Sequence, residues 1–192
     1  MARMISAIAS LLIIFTANAF AAEAALNVDT AKRFVASLKS VEALGKEFSA
    51  NGKAEKLMFD VEPKADEKFT PYSKAVEALK AKYPSDYSRL GAAVKPHGFS
   101  AEEWGAAGDR VMIAYLAIKM EKENPQAMAQ MQAMDPAMLD MMPADMKKQI
   151  EQAKVMLDTI AAASDEDKKA VAEVVDDLDN YMDKAAEDHS NH

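Results

Sequence analysis

Methionine is the residue type that most strongly suggests chemistry in this sequence. Nine of the fourteen methionines lie between Met120 and Met156. If the segment is drawn as one continuous helix, seven of these methionines lie within an arc of about 140° on one face. These seven are Met128, Met131, Met134, Met138, Met141, Met142 and Met146. Because Pro136 and Pro143 interrupt the segment, we expect residues 125–142 to form two short helices with sharp turns.

Three interpretations of this methionine stripe follow from the physical properties of the thioether side chain. Our preferred hypothesis is a deformable surface for a protein or peptide partner, formed by all seven side chains in a chaperone-like manner, since methionine is unbranched and polarizable. The alternative is Cu(I) binding, because soft sulfur ligands suit that ion, with Met128, Met131, Met134 and Met138 as ligands. The third is ordinary core packing. No histidine accompanies the stripe, which weakens the copper hypothesis.

The histidines offer little support for a metal site. His97 lies in a Pro-His-Gly turn and is predicted to be exposed. His189 and His192, together with Asp188, could hold a divalent ion weakly, but a solvated tail is the preferred interpretation. We therefore predict no cofactor, with copper as the alternative.

The sequence also lacks the common signatures of catalysis. There is no cysteine nucleophile, and Gly-x-Ser-x-Gly, His-Glu-x-x-His and phosphate-loop motifs do not occur. Arg110 could pair with an acid from another helix, and with Asp109 it is interpreted as a structural group, since a buried charge must be paired. The chain is accordingly interpreted as non-enzymatic, and an uncharacterised enzyme is the third hypothesis for its function.

The elements that would position these residues are predicted to be helices throughout. Alanine, lysine, glutamate, methionine and leucine dominate, and no stretch alternates long enough to indicate a sheet strand. We predict an all-α protein: one irregular bundle of about six to eight helices over residues 29–186. A lead segment, 22–28, precedes this domain, and a polar tail, 187–192, follows it.

The stretch Ser100–Glu123 is predicted to be the central helix. Its inward face is Trp104, Gly108, Val111, Tyr115 and Ile118. Ser100 and Glu103 form a capping box that begins the helix. Gly105 and Gly108 are unfavourable inside a helix, which indicates close approach of another helix beside the tryptophan.

Other helix boundaries are predicted from capping residues and prolines. Asp29 or Thr30 caps the first helix, Thr70 precedes a proline-initiated helix, Ser85 caps the next, and Ser164 caps one last helix. The predicted inward residues are Phe34, Leu38, Val41, Gly45 and Phe48; Tyr72, Val76, Leu79 and Tyr83; Tyr87, Leu90 and Val94; Met146, Ile150, Ala153, Leu157 and Ile160; and Val171, Val174, Val175, Leu178, Tyr181 and Met182. Residues 53–69 follow no clear pattern, and their apolar members are expected to fill a gap against the core.

The N-terminal residues 1–21 have the pattern of a secretory signal peptide. A basic start is followed by the apolar run Met4–Ala17 and by Ala19-Phe20-Ala21, which predicts cleavage after Ala21. The run is short for a membrane anchor. We therefore expect a periplasmic or secreted protein, soluble and without stable membrane insertion after cleavage.

Net charge limits the classes of partner, and the absence of cysteine limits how the fold can be stabilised. The full chain carries 23 − 31 = −8, and without residues 1–21, which contain only Arg3, the balance is 22 − 31 = −9. A net acidic chain is a poor candidate for binding nucleic acid. With no cysteine, neither disulfides nor a lipid-modified cysteine can anchor or brace the protein, so the fold must depend on its core.

Overall fold

A computed structural model describes residues 26–64, 67–123, 125–126 and 142–190 of the chain. This described part folds into α-helices without any β-strand, which confirms the predicted all-α bundle. Its eight α-helices are α1 Val28–Ala50, α2 Lys53–Val61, α3 Pro71–Lys82, α4 Pro84–Val94, α5 Ala101–Glu123, α6 Ala144–Ala161, α7 Asp165–Ala172 and α8 Val175–Ser190. The predicted signal peptide and the predicted helices over 125–142 lie largely outside the described residues.

Helix α5 is the central element of the bundle. The capping box predicted at its start is present: Glu103 N donates to Ser100 Oγ at 3.2 Å, and Ser100 N donates to Glu103 Oε2 at 2.8 Å. All five residues from Val111 to Tyr115 are buried. Helices α1, α3, α4, α6 and α7 all pack against α5, so its apolar half is covered from several sides, as the sequence predicts.

Two glycines of α5 allow α3 to approach closely. A Cβ atom added to Gly105 would lie 3.1 Å from Val76 Cγ2, and one added to Gly108 would lie 2.7 Å from Tyr72 Cδ1. Such distances leave no room for even one methyl group without movement of α3. The predicted close approach beside Trp104 is therefore confirmed.

Two predicted helix caps are corrected. The first helix is capped by Asn27 rather than by Asp29 or Thr30: Asn27 Oδ1 accepts a bond of 2.8 Å from Thr30 N. Helix α4 begins one residue before the predicted cap Ser85, because Pro84 occupies its first position. Proline suits this position because an N–H group there would have no partner within the helix. Its backbone angle φ also already matches that of a helix.

The predicted single C-terminal helix is in fact two helices. Ser164 caps α7 as predicted, with Asp167 N donating to Ser164 Oγ at 3.1 Å. The chain then turns, with Val174 N bonded to Val171 O at 2.8 Å, before α8 begins. Val174 is buried within this turn, and helix periodicity does not reveal the break.

Helix α6 departs from its predicted inward face. Of the five residues predicted to face inward, only Ile160 is buried. Met146 is 50% exposed, so the prediction that Met146 is a core residue is wrong. The N-terminal half of α6 makes polar contacts instead, because Lys148 and Gln152 both bond to Glu62, the residue that follows α2. The C-terminal end carries the apolar packing.

Met182 of α8 is likewise corrected, since it is 36% exposed. Among the other predicted inward residues, Gly45 on α1 lies at the surface. Both positions border faces of the helices that no other described element covers fully. Within the described residues, no helix combines the length and the apolar character needed to cross a bilayer.

Candidate binding groove

A groove of about 420 Å³ opens between α1, α2 and α3. Almost every side chain that lines it is apolar or aromatic, and Ser49 is the polar exception. Its floor consists of buried core residues: Phe48, Val76, Leu79, Leu90 and Trp104. The groove is therefore an opening into the hydrophobic core, and its volume lies in the range of ordinary ligand sites.

Helix α2 forms one wall of this groove, and it comes from the segment that sequence patterns describe least well. Gly52 adopts a left-handed conformation, φ 63°, which turns the chain from α1 into α2. Leu57 and Val61, four residues apart, lie on the groove side and are half-buried. Met58 is 65% exposed at the rim, which contradicts the expectation that it packs against the core.

Ion pairs hold both ends of α2 in place. Lys82 Nζ bonds to both carboxylate oxygens of Asp60 at 2.6 and 2.7 Å. At the other end, Lys53 Nζ lies 2.8 Å from Asp86 Oδ2 and also above the rings of Phe48 and Tyr83. The wall is thus attached to α3 and α4 by charged contacts, and the space between the helices stays open.

Trp104 occupies the floor of the groove in a well-defined orientation. Its indole N–H donates to Ser37 Oγ at 2.7 Å, and Ser37 is completely buried. The rings of Phe34 and Tyr72 lie 5.5 Å from it, centroid to centroid. As the only tryptophan of the chain, it is a natural spectroscopic reporter of this groove.

Asp109 serves the fold. Its carboxylate accepts bonds from Tyr72 N at 2.7 Å and from Ser73 N at 3.1 Å, which satisfies N–H groups at the start of α3. Burial raises the pKa of Asp109 above its usual value, although bonds from Ser73 and Tyr72 oppose the shift. The residue connects α5 to α3 beside the groove.

Arg110 forms the interhelical pair that the sequence predicts. Its guanidinium bonds to Asp167 through two nitrogens, at 2.9 and 2.6 Å. Asp167 also accepts from Leu26 N at 3.1 Å, which ties the first described residue to α7. Burial raises the pKa of this carboxyl, but its bonds with Arg110, Leu26 and Ser164 outweigh that effect and lower the pKa. The pair is structural.

A serine–histidine contact was missed by sequence reasoning. Ser40 Oγ lies 2.9 Å from His97 Nε2, and Arg33 donates to the carbonyl oxygens of His97 and Gly98. His97 is half-buried, so the predicted full exposure is wrong. Fifty-seven residues separate the two partners, and no local pattern signals such a pair. A histidine beside a hydroxyl can accept its proton, but the contact lies outside the groove.

The structure describes only two residues of the predicted methionine surface. Met142 is half-buried and Met146 is half exposed. Met128, Met131, Met134, Met138 and Met141 lie outside the described residues, so partner and copper binding there stay predictions. His192 also lies outside them, as do the side chains of Asp188 and His189. Elsewhere in the described part, no three His, Cys, Asp or Glu side chains come together to hold a metal.

Comparison with known proteins adds no relative. The chain matches no protein-family model, and no curated sequence or solved structure is significantly similar to it.

Proposed function

We propose that this chain is an exported, non-enzymatic binding protein that holds an apolar segment of a protein or peptide partner in the groove between α1, α2 and α3. The observation that carries the proposal is the almost wholly apolar lining of an opening whose floor is the core itself. Exposed apolar concavities rimmed by polar residues are typical of interaction sites, because water contact there is unfavourable.

The shape of the groove favours a peptide segment over a small enclosed ligand. Gly45 and Ser49 are exposed along one edge, and Met58 is 65% exposed along the other. A small ligand normally has most of its surface buried by its pocket. An amphipathic helix instead inserts one row of apolar side chains into a groove and leaves its polar face in water. A flexible methionine at the rim suits partners of varied shape.

The methionine-rich segment belongs to the same proposal as a second contact surface. Its seven members are Met128, Met131, Met134, Met138, Met141, Met142 and Met146. The exposure of Met146 supports a role at the surface, since a core methionine would be buried. Together, an apolar groove and adaptable methionines would give the chaperone-like binding that the composition suggests.

Export to the periplasm or the exterior is also part of the proposal. It is supported by the basic start, apolar run and small-residue site within residues 1–21. Cleavage after Ala21 would leave intact the bond between Leu26 N and Asp167, which is the first tertiary contact described. Mass spectrometry of the protein recovered from a bacterial periplasmic fraction tests this; an intact mass that includes residues 1–21 contradicts it.

The test of groove binding uses Trp104 as the reporter. The probe is a peptide of roughly 14 residues, four helical turns, with leucines on one face, glutamines on the other and no tryptophan or tyrosine. We expect a saturable change in Trp104 fluorescence. Gly45→Leu places a side chain in the groove, where an added Cβ meets nothing within 4 Å, and should abolish the change.

Gly91→Leu is the matched control for this experiment. Gly91 is also inside a helix with open space beside it, but it does not line the groove. Both substitutions favour helix formation, so both variants should fold. Retained binding in Gly45→Leu, or no saturable response in the unmodified protein, would refute groove binding.

A further inference from the structure

A second hollow adjoins the groove on the other side of α1. It has a volume of about 970 Å³ and lies between the second half of α1 and helix α8. Its charged lining consists of Lys39, Lys46 and Lys184 with one acid, Glu42, which gives 3 − 1 = +2. Lys46 pairs with Glu42 at 2.7 Å, whereas Lys39 and Lys184 extend from exposed positions. This local balance is opposite in sign to the net charge of −8 on the chain.

The hollow and the groove form one continuous surface. Val41, Gly45 and Ser49 line both, and they follow one another at intervals of four along a single stripe of α1. Gly45, in the middle, has no side chain to separate the two spaces.

The length of this surface suits a short helix. The part of α1 that borders the two spaces runs from Lys39 to Ala50. At 1.5 Å per residue this is about 16 Å, or three helical turns. A bound helix of that length could place apolar side chains in the groove and, from its neighbouring face, reach the lysines of the hollow.

From this arrangement we propose that the occupant of the groove is an acidic amphipathic peptide segment. Its apolar row fills the space between α1, α2 and α3, and its carboxylates lie beside Lys39 and Lys184. The proposal rests on the groove binding argued above and adds the charge of the partner. A second copy of this chain is a weaker candidate, because two molecules of charge −8 repel each other.

The test compares three peptides with the same leucine face and with glutamate, glutamine or lysine on the polar face. Trp104 fluorescence reports binding at low salt. The net negative charge of the protein alone would favour the lysine peptide. The lysine hollow instead predicts that the glutamate peptide binds about ten-fold more tightly than the glutamine peptide, with the lysine peptide weakest. The differences in affinity among the three peptides should become small in 1 M NaCl, because salt screens the charges.

Charge-reversal variants locate the effect. Lys39→Glu with Lys184→Glu should remove the preference for the glutamate peptide, measured as the ratio of the dissociation constants of the glutamine and glutamate peptides. The matched control is Lys32→Glu with Lys154→Glu, which makes the same change in net charge at two exposed lysines outside both spaces. The control should retain the preference. Circular dichroism checks that both variants keep their helices.

The outcomes separate this inference from the proposed function. If the glutamine peptide does not bind, groove binding itself fails. If all three peptides bind equally, or if the Lys39/Lys184 variant still prefers the glutamate peptide, only the acidic-partner assignment is overturned. Laurate below its micellar concentration should leave the bound glutamate peptide in place. Stoichiometric displacement by laurate would assign the surface to a small anionic amphiphile and overturn the peptide assignment.

Discussion

The indole N–H of Trp104 donates a hydrogen bond of 2.7 Å to the hydroxyl of Ser37, across the contact between α5 and α1. Ser37 in turn donates to Phe34 O at 2.6 Å, and neither the serine nor Phe34 is exposed. A single buried hydroxyl therefore satisfies the polar atom of the largest side chain in the core. It also orients the floor of the groove, since Trp104 contacts both the aromatic cluster and the opening.

Ser37→Ala tests this hydroxyl. Removing it leaves the indole N–H buried without an acceptor, which should lower the free energy of unfolding by roughly 1 to 3 kcal/mol. Urea denaturation followed by circular dichroism measures the change. Ser49→Ala is the control on the same helix, because Ser49 is exposed and, within the described part of the chain, its hydroxyl bonds only to the backbone oxygen of Gly45. Equal stability of the two variants would show that the Trp104 bond contributes nothing.

Gly108→Ala tests the close approach of α3 to α5. An added Cβ would lie 2.7 Å from Tyr72 Cδ1 and 2.9 Å from Phe34 Cε2, and both rings are held by the core. We expect a loss of about 1 to 3 kcal/mol of stability, because overpacking outweighs the gain in helix propensity.

The same substitution at Gly91 should have the opposite effect on stability. No atom lies within 4 Å of a Cβ added there, so Gly91→Ala is expected to stabilise the protein by up to about 1 kcal/mol. Thermal and urea unfolding of the two variants measure both effects. A Gly108→Ala protein at least as stable as the original would contradict the close packing of α3 against α5.

The Arg110–Asp167 pair predicts a dependence of stability on pH. The pKa of Asp167 is lowered in the folded protein, so its contribution is complete above the usual carboxyl range, about pH 4, and is lost as the pH falls through the folded pKa. Asp167→Asn should cost roughly 2 to 4 kcal/mol at pH 7, because Arg110, which is only 18% exposed, loses its charged bonds to Asp167. The difference from the original protein should narrow at acid pH.

Asp165→Asn is the control for this experiment. Asp165 lies on the same helix, but its side chain is 80% exposed and, among the described residues, pairs only with Lys168 at the surface. Surface pairs of this kind contribute little, so the variant should differ from the original by less than about 1 kcal/mol at pH 7. Urea denaturation from pH 7 to pH 3 provides the comparison. A constant difference for Asp167→Asn across that range would rule out the ion pair as its cause.

The methionine surface gives a prediction that does not depend on the groove. Combined replacement of Met128, Met131, Met134 and Met138 by alanine should change stability by less than about 1 kcal/mol and remove capture of partners from a periplasmic extract. Core methionines would instead cost several kcal/mol. Titration with Cu(I) against a chromophoric chelator tests the alternative: copper taken from the chelator at micromolar protein, and lost in the variant, would favour metal binding.

Much of the fold could be predicted from local signals. The capping box at Ser100, the proline-initiated start of α3 at Pro71 and the serine cap at Ser164 each depend on bonds or backbone angles within one turn of chain. Gly105 and Gly108 indicated close helix packing because glycine is unfavourable in a helix unless something requires the space. Arg110 indicated an acidic partner on another helix, because a buried charge must be paired.

Tertiary packing alone decided the rest. Whether Met58, Met146 and Met182 are buried depends on which helix covers each face, and a periodic pattern cannot specify its neighbour. The contact between Ser40 and His97 joins residues far apart in sequence.

The groove is also a result of tertiary packing. Its lining consists of residues that look like ordinary core in the sequence. The space lies between α1, α2 and α3, where Asp60 attaches α2 to α3 and Lys53 attaches it to α4. Local bonds thus determine where helices begin and which faces are apolar, and the arrangement of distant helices determines which of those faces remain uncovered.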